Sequence, residues 1–522
     1  MKLLAITTFI PALLFFMTSV LSGILSNSKK KLIISLTMLS AVLSVIISIA
    51  GGVYIFNNGS AEFSFFELEN LGLSLRFDAL SMLFFGMIAL LAVVIVKYSI
   101  NYLDGDPRQG IFMGRIAATI ASVQLFVMSG NLFVLFFAWV LTSLFLHRLL
   151  VFYSNRPRAK TAARKKFIVG RIADTFLLIS FILLYNQIGS GSLATIFSAV
   201  EQGTVNGVPL SLEIPTVFLV LAALFKSAQF PIHGWLVEVM ETPTPVSALL
   251  HAGVLNAGPF IIMRFAFVLN QTEIASNILL LVGGLTALFA SVVFMTQSSI
   301  KTALGYSSIA HMGFSLFICG TGAYSAAVLH IVAHSFYKAH AFLSSGSSVD
   351  LIRSKRIATP DRLGNPLLII LGVLLTFGIY IGIATIFGVD FKNNFSLLAV
   401  GLVIVMSLTL MLTSILDSKR SFSTLLASSV LVAVVASAFF GFEHLFHTIL
   451  ASQFPALTIL SLSQGYVIYF MLLLFAVALL IQLTSPLKLF GKNNSSIRMH
   501  LRNGLYINSY FDRLIGAYKV KK

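Results

Sequence analysis

Cysteine is almost absent: one residue, Cys319, in 522. A disulfide needs two cysteines, an iron–sulfur cluster usually four thiolates, and a CxxC zinc site two close together. All three are excluded within this chain. Charge is scarce as well. Charged residues make up 10% of the chain and hydrophobic ones 57%, where a soluble domain carries about 25% charged residues. With a mean hydropathy of +0.95, the chain cannot coat a water-facing surface with charge, so lipid is its solvent. No GxGxxG follows an expected strand and no P-loop occurs. Nothing in the sequence therefore reads as a nucleotide, flavin or redox-cluster motif, and no cofactor is expected.

What the sequence does have is long apolar runs. A spanning helix needs about 20 apolar residues, because ~1.5 Å of rise per residue must cover a ~30 Å hydrocarbon core. Fifteen such segments are expected, at about 3–26, 32–56, 77–99, 113–130, 131–153, 167–187, 214–230, 246–269, 276–296, 302–321, 324–348, 366–388, 395–415, 422–441 and 463–483. The first reads as a retained anchor rather than a cleaved signal. The fold class is thus all-α, a polytopic integral membrane protein with about 14–15 transmembrane helices.

The formal net charge of +17 invites a nucleic-acid reading, but its distribution argues otherwise. With the N-terminus outside, inner loops and the tail hold 25 Lys and Arg, and only Lys2, Arg76 and Lys392 fall outside. Outer loops are acidic, with Glu62, Glu67, Glu69, Glu201 and Glu213. This is the positive-inside bias of a membrane protein. It expects a multi-pass chain in the cell inner membrane with a cytoplasmic C-terminus. The basic tail from Pro486 onward reads either as an amphipathic helix on the membrane surface or as a docking strip for a partner.

An ionisable group at mid-bilayer costs roughly 2.5–3.5 kcal/mol on insertion scales and usually faces the bundle interior. Lys226 sits in LFKSAQFPIHGW, five residues before Pro231, and proline breaks a helix locally. A lysine beside a broken helix at membrane depth marks a transport pathway; the plainer reading is a lysine snorkelling to the interface. His330, His334 and Lys338 recur every four residues and so stack on one helix face. That column reads as a proton relay, with metal binding or simple packing as the other readings, while His340 lies on a different face. His251 and His311, each weak alone, together bridge Lys226 to the column. Asp174 either pairs with Arg171 three residues earlier or tunes Lys226 from a neighbouring helix. Glu238 and Glu241 follow the break as carriers on the side where protons arrive. Asp78 precedes a helix and reads as its cap.

These residues carry a family resemblance. The stretches KSAQFPIHGWLVEVMETPTPVSALLHAG, IKTALGYSSIAHMGF, HIVAHSFYKAHAFLSSGS, FDALSM and RIADTFLL resemble the antiporter-like subunits of respiratory complex I and of Mrp-type cation/proton antiporters, over about residues 70–350. The resemblance implies two inverted five-helix repeats containing broken helices. It places N-terminal helices in 1–112, half-channels in 113–269 and 270–420, C-terminal helices in 421–485 and a basic tail in 486–522. It implies ion-translocation roles for Lys226, His251, His330, His334 and Lys338, with Asp174, Glu238, Glu241 and His311 in support. Departures are equally visible. The family's helix-five Gly-Trp-Glu reads Ala138-Trp139-Val140 here, segment twelve has no charge, and no long lateral helix is expected in 486–522.

Those departures, with HAGVLNAG, FYKAHAFLSSGS and NGLYINSYFDRLIGAY, resemble the membrane subunits of two-component inorganic-carbon transporters. That likeness implies a large cytoplasmic zinc-containing partner similar to β-carbonic anhydrases. It also implies flow of protons or Na+ through this chain that drives CO2 hydration to bicarbonate in the partner. The chain itself is then a transporter subunit without a catalytic centre. The other readings are a subunit of a Mrp-type Na+/H+ antiporter or of an NADH:quinone oxidoreductase membrane arm.

Overall fold

A computed structural model describes residues 2–25, 29–68, 71–153, 155–205, 208–239, 242–346, 364–390, 394–418, 422–456, 460–484 and 495–514. In chain order it runs α1 (Lys2–Ile24), α2 (Lys30–Asn58), a hairpin of β1 (Ala61–Leu68) and β2 (Leu71–Phe77), α3 (Ala79–Tyr102), α4 (Gln109–Val127), α5 (Leu132–Leu150), α6 (Pro157–Ile188) and α7 (Leu193–Gln202). After a two-residue ribbon of β3 (Thr204–Val205) and β4 (Val208–Pro209) come α8 (Glu213–Lys226), α9 (Gly234–Glu238), α10 (Thr244–Ala252), α11 (Ala257–Arg264), α12 (Ala266–Asn270), α13 (Glu273–Phe294), α14 (Ile300–Gly320) and α15 (Tyr324–Leu343). The remainder is α16 (Pro366–Ile386), α17 (Phe395–Leu416), α18 (Phe422–Leu450), α19 (Leu462–Thr484), α20 (Ser495–Arg502) and α21 (Ile507–Leu514).

A helix occupies each of the fifteen expected segments. Among the described residues, 13 are long and apolar enough to cross a membrane on composition alone. The other two are α8, cut to 14 residues by the break after Lys226, and α15, in which three histidines and a lysine replace apolar residues.

The sequence reading needs three additions or corrections. The acidic outer loop is an antiparallel hairpin pairing Ala61 with Phe77 through Leu68 with Leu71; its alternation of polar and apolar residues has the period of two that a strand requires. Helix α6 starts at Pro157, ten residues before the expected segment, because proline at the first helical position has a suitable φ and no N–H to leave unpaired. At 32 residues it is about 48 Å long, so Lys165 and Lys166, expected in a loop, are helical. Finally, every interruption of a spanning helix among the described residues lies before α12. The second interruption that the resemblance implies for the later half is not seen in α16, which is continuous. It has no Asp, Glu, Lys, Arg or His, and its one proline is at its start, where it is tolerated.

The centre of the bundle is the interrupted element α10–α11, whose window is buried on all sides. By contrast α16, α18 and α19 present large apolar side chains outward, among them Leu462, 83% exposed, and Ile386, 81% exposed. Those faces meet lipid.

Lipid tails are as apolar as leucine, so close backbone packing by small residues holds spanning helices together. Helices α13 and α14 do this at Gly283 and Gly313. A Cβ on Gly283 would lie 2.7 Å from both Gly313 O and Phe317 N, and backbone cannot step aside. Gly283→Ala is expected to cost about 1–3 kcal/mol through overpacking, read as a lowered Tm in detergent. Gly52→Ala in α2, whose Cβ would meet nothing within 4 Å, serves as the control and leaves Tm unchanged or slightly raised.

Asp78 caps α3 by accepting from Ser81 N at 2.8 Å. It is fully buried and takes two guanidinium groups: Arg76 Nε at 2.7 Å and Arg264 Nη1 at 2.6 Å. Arg264, the last residue of α11, also donates to Ser81 Oγ at 2.6 Å. Burial works against the carboxylate, but the two arginines hold the Asp78 carboxyl well below the usual range. The bond ties the end of the central element to the start of α3, and the capping role read from the sequence is what Asp78 performs.

Candidate functional site

Lys226 is the last residue of α8, and the chain from Ser227 to His233 is irregular before α9 begins. Ala228 has φ +52°, a left-handed conformation that no helix continues through. The second interruption, at Gly253–Asn256 between α10 and α11, packs on the first. Ser227 Oγ donates to Leu255 O at 3.3 Å, and a Cβ on Gly258 would meet Ala223 O at 2.6 Å. Two broken helices thus touch at the centre of the bundle.

Lys226 is buried there and points at α5. Its Nζ donates to Trp139 O at 3.0 Å, Ser143 Oγ at 3.2 Å and Thr142 Oγ1 at 3.3 Å, and sits 4.1 Å from the centroid of the Trp139 ring. A cation over an indole face is favourable, so carbonyl, hydroxyl and ring dipoles surround the Lys226 amine. Asp174 does not touch the ammonium. It pairs with Arg171 at 2.8 Å and accepts from Trp139 Nε1 at 2.8 Å. The Arg171 pairing is therefore present, and the Trp139 ring stands between Asp174 and Lys226.

On the far side of the second interruption, His251 stacks on Phe342 of α15 at 4.4 Å. Asn256 Nδ2 donates to Ser335 Oγ of the same helix at 2.8 Å. The expected column follows on α15. His330 Nε2 lies 3.3 Å from His311 Nδ1, the His334 ring lies 4.7 Å from the His311 ring, and His330 and His334 stack at 6.1 Å. Four residues on, Lys338 is fully buried and donates to Ser307 Oγ at 2.8 Å and Leu304 O at 3.1 Å. From His330 to Lys338 the helix rises about 12 Å. Among the described residues no three His, Cys, Asp or Glu groups are placed to hold a metal ion.

Glu238 stands apart from this line. It ends α9, forms a close ion pair with Lys165 and accepts from Asn508 Nδ2 at 2.6 Å. Lys165, fully buried, also pairs closely with Asp512. The tail therefore docks on the chain's own basic face: Arg502 donates to Ser298 Oγ at 2.9 Å, and α21 reaches α9 and α6. Glu241 lies outside the described residues.

The sequence reading passed over Lys165 and Lys166 because it counted both into a basic loop. The available signal was spacing: Lys166, Gly170 and Ala173 step along α6 at helical intervals toward Asp174, on a face with no other charge.

With this geometry in place, comparison with known proteins is informative. The family described as NADH:quinone oxidoreductase/Mrp antiporter, transmembrane, matches residues 129–416. The N-terminal part of chain 5 of complex I matches residues 65–113. The chain belongs to this antiporter-like family. Within the family it resembles the DabB subunits of inorganic-carbon transporters. A probable inorganic carbon transporter subunit DabB2 of Halothiobacillus neapolitanus is 35% identical over 85% of this chain and 80% of its own length. A probable DabB of Hydrogenovibrio crunogenus is 40% identical over 56% of this chain and 57% of its own. Among solved structures, the Mrp complex from Dietzia sp. DQ12-45-1b aligns over 99% of this chain and 60% of that one, with a TM-score of 0.62 and 20% identity. That likeness concerns the fold. The family match and the 13 candidate spans among the described residues together make this a multi-pass membrane protein of the antiporter-like family.

Proposed function

We propose that this chain is the ion-translocating membrane subunit of an energy-coupled inorganic-carbon pump in the cell inner membrane. The observation that carries the reading is the placement of buried Lys226, His251, His334 and Lys338, with half-buried His311 and His330 against His334, around two touching breaks in the middle of the bundle. An imidazole can accept a proton at one ring nitrogen and release one from the other, and among the described residues no carboxylate pairs with Lys226, Lys338 or these histidines. Protons (or Na+) enter from the acidic face and leave on the basic, cytoplasmic face. Their flow drives one-way hydration of CO2 to bicarbonate in a cytoplasmic zinc-containing, β-carbonic-anhydrase-like (DabA-like) partner. This chain supplies no catalytic centre of its own.

Lys338 offers the test. In a carbonic-anhydrase-deficient host carrying this chain and its partner, Lys338→Ala is expected to abolish growth in ordinary air. The variant still reaches the membrane and still co-purifies with a large zinc protein. Unimpaired growth of the variant overturns the reading. Co-purification with iron–sulfur subunits instead assigns the chain to a redox membrane arm, and with several small membrane subunits to a Na+/H+ antiporter.

A further inference from the structure

Lys166 is buried nine residues into α6, at 5% exposure. Its Nζ donates to Ser143 O at 2.7 Å and to Ser143 Oγ at 3.2 Å. Lys226, from α8, donates to that same Oγ at 3.2 Å. Two primary amines from two helices thus meet on one hydroxyl. Among the described residues neither is in an ion pair, since Asp174 is taken up by Arg171 and Trp139. Ser143, Lys166 and Lys226 also line a common cavity of about 10 Å3, closed by Trp235, Leu250 and Leu255. That space admits one water at most.

A hydroxyl has one proton and two acceptor lone pairs. If both lysines are ammonium ions, Ser143 accepts from both while like charges repel in a water-poor interior. If both are neutral, two bare amines share a site with no cation. With one proton between them every group is satisfied: the ammonium donates to Ser143 Oγ, and the Ser143 hydroxyl donates to the neutral amine. The exchange is balanced and involves no oxidation. Lys166 gives a proton to the Ser143 oxygen as the hydroxyl passes its own proton to Lys226, and the reverse restores the start.

We infer that Lys166 is a relay residue that exchanges a proton with Lys226 across Ser143. The inference rests on the ion-translocating reading above. The other charged and titratable groups around the pair are Arg171 and Asp174 of α6 and His147 of α5. His147 lies one turn on from Ser143, and its Nδ1 is buried without a hydrogen-bond partner among the described residues. It continues the line from Lys166 toward the basic end of α5.

The test uses the full chain with its partner in carbonic-anhydrase-deficient cells, with inorganic-carbon uptake measured between pH 6 and 9. Lys166→Arg keeps the charge and the hydrogen bonds but holds its proton. It is expected to lower uptake at least tenfold, whereas Lys166→His, which titrates, retains measurable uptake with an optimum moved to lower pH. Ser143→Ala removes only the shared hydroxyl and is expected to lower uptake at least tenfold with normal membrane levels. A lysine that merely packs would tolerate arginine better than histidine. Wild-type uptake in Ser143→Ala, or in a Lys166→Arg protein that accumulates normally, overturns the inference. If Lys226→Ala abolishes uptake while these variants do not, only the Lys166 role falls; if Lys226→Ala is also silent, the broader reading falls with it.

Discussion

Replacing Lys226 by alanine is expected to lower ion-driven inorganic-carbon uptake by about 10²-fold or more, the range seen when a proton-transfer group is removed. The same variant is expected to reach the membrane in normal amount. Most buried lysines would not allow both outcomes, because deleting one partner of a buried ion pair strands the other. Here the partners are Trp139 O, Thr142 Oγ1, Ser143 Oγ and the face of the Trp139 ring. None is charged, and Thr142 Oγ1 already donates to Trp139 O at 2.7 Å. The loss therefore falls on transport rather than on folding. Membrane level by immunoblot and elution volume in detergent check the second half, and uptake in carbonic-anhydrase-deficient cells checks the first. Uptake within twofold of wild type would remove Lys226 from the path.

Arg264→Leu should behave in the opposite way. Breaking a buried ion pair from one side typically costs about 3–5 kcal/mol. Asp78 would stay fully buried, facing Arg76 alone, and Ser81 Oγ would lose its 2.6 Å donor. The variant is expected to be depleted from the membrane, and what remains should melt well below wild type. The wild-type bond is insensitive to ordinary pH. The Asp78 carboxyl is held below its usual range, so its contribution is complete above the unfolded value of about 3.9 and fades only as pH falls through the lower folded value. A Tm for Arg264→Leu equal to wild type would show that Arg76 suffices.

Spans were legible because hydrocarbon thickness leaves little freedom: helix occupies each of the fifteen apolar runs, the eighth of them in several pieces. The column on α15 was legible because a spacing of four in a helix fixes a common face. The capping role of Asp78 followed from its place before an apolar run. Its pairing with Arg264 did not, since 186 residues separate them and only the fold brings them together. Lys165 and Lys166 were hidden by their neighbours. Sitting among Arg156, Arg158, Lys160 and Arg164, they look like loop charges, and nothing local reveals that α6 continues inward past them. Glu238 was placed on the ion path by its position in a motif, whereas the structure gives it to Lys165 and the tail. What composition and period can encode was readable; what depends on which distant segment docks was not.

The docked tail also has a bearing on how the protein is made. Lys165 meets Glu238, 73 residues later, and the α21 segment around Asn508, 343 residues later. At roughly 5–20 residues per second, the first partner emerges after about 4–15 s and the second only after about 17–70 s. Glu238 can therefore neutralise Lys165 while most of the bundle is still unwritten, and Asp512 closes the site once nearly every helix is in place. Complete pairing at Lys165 is reached only by a chain synthesised through α21.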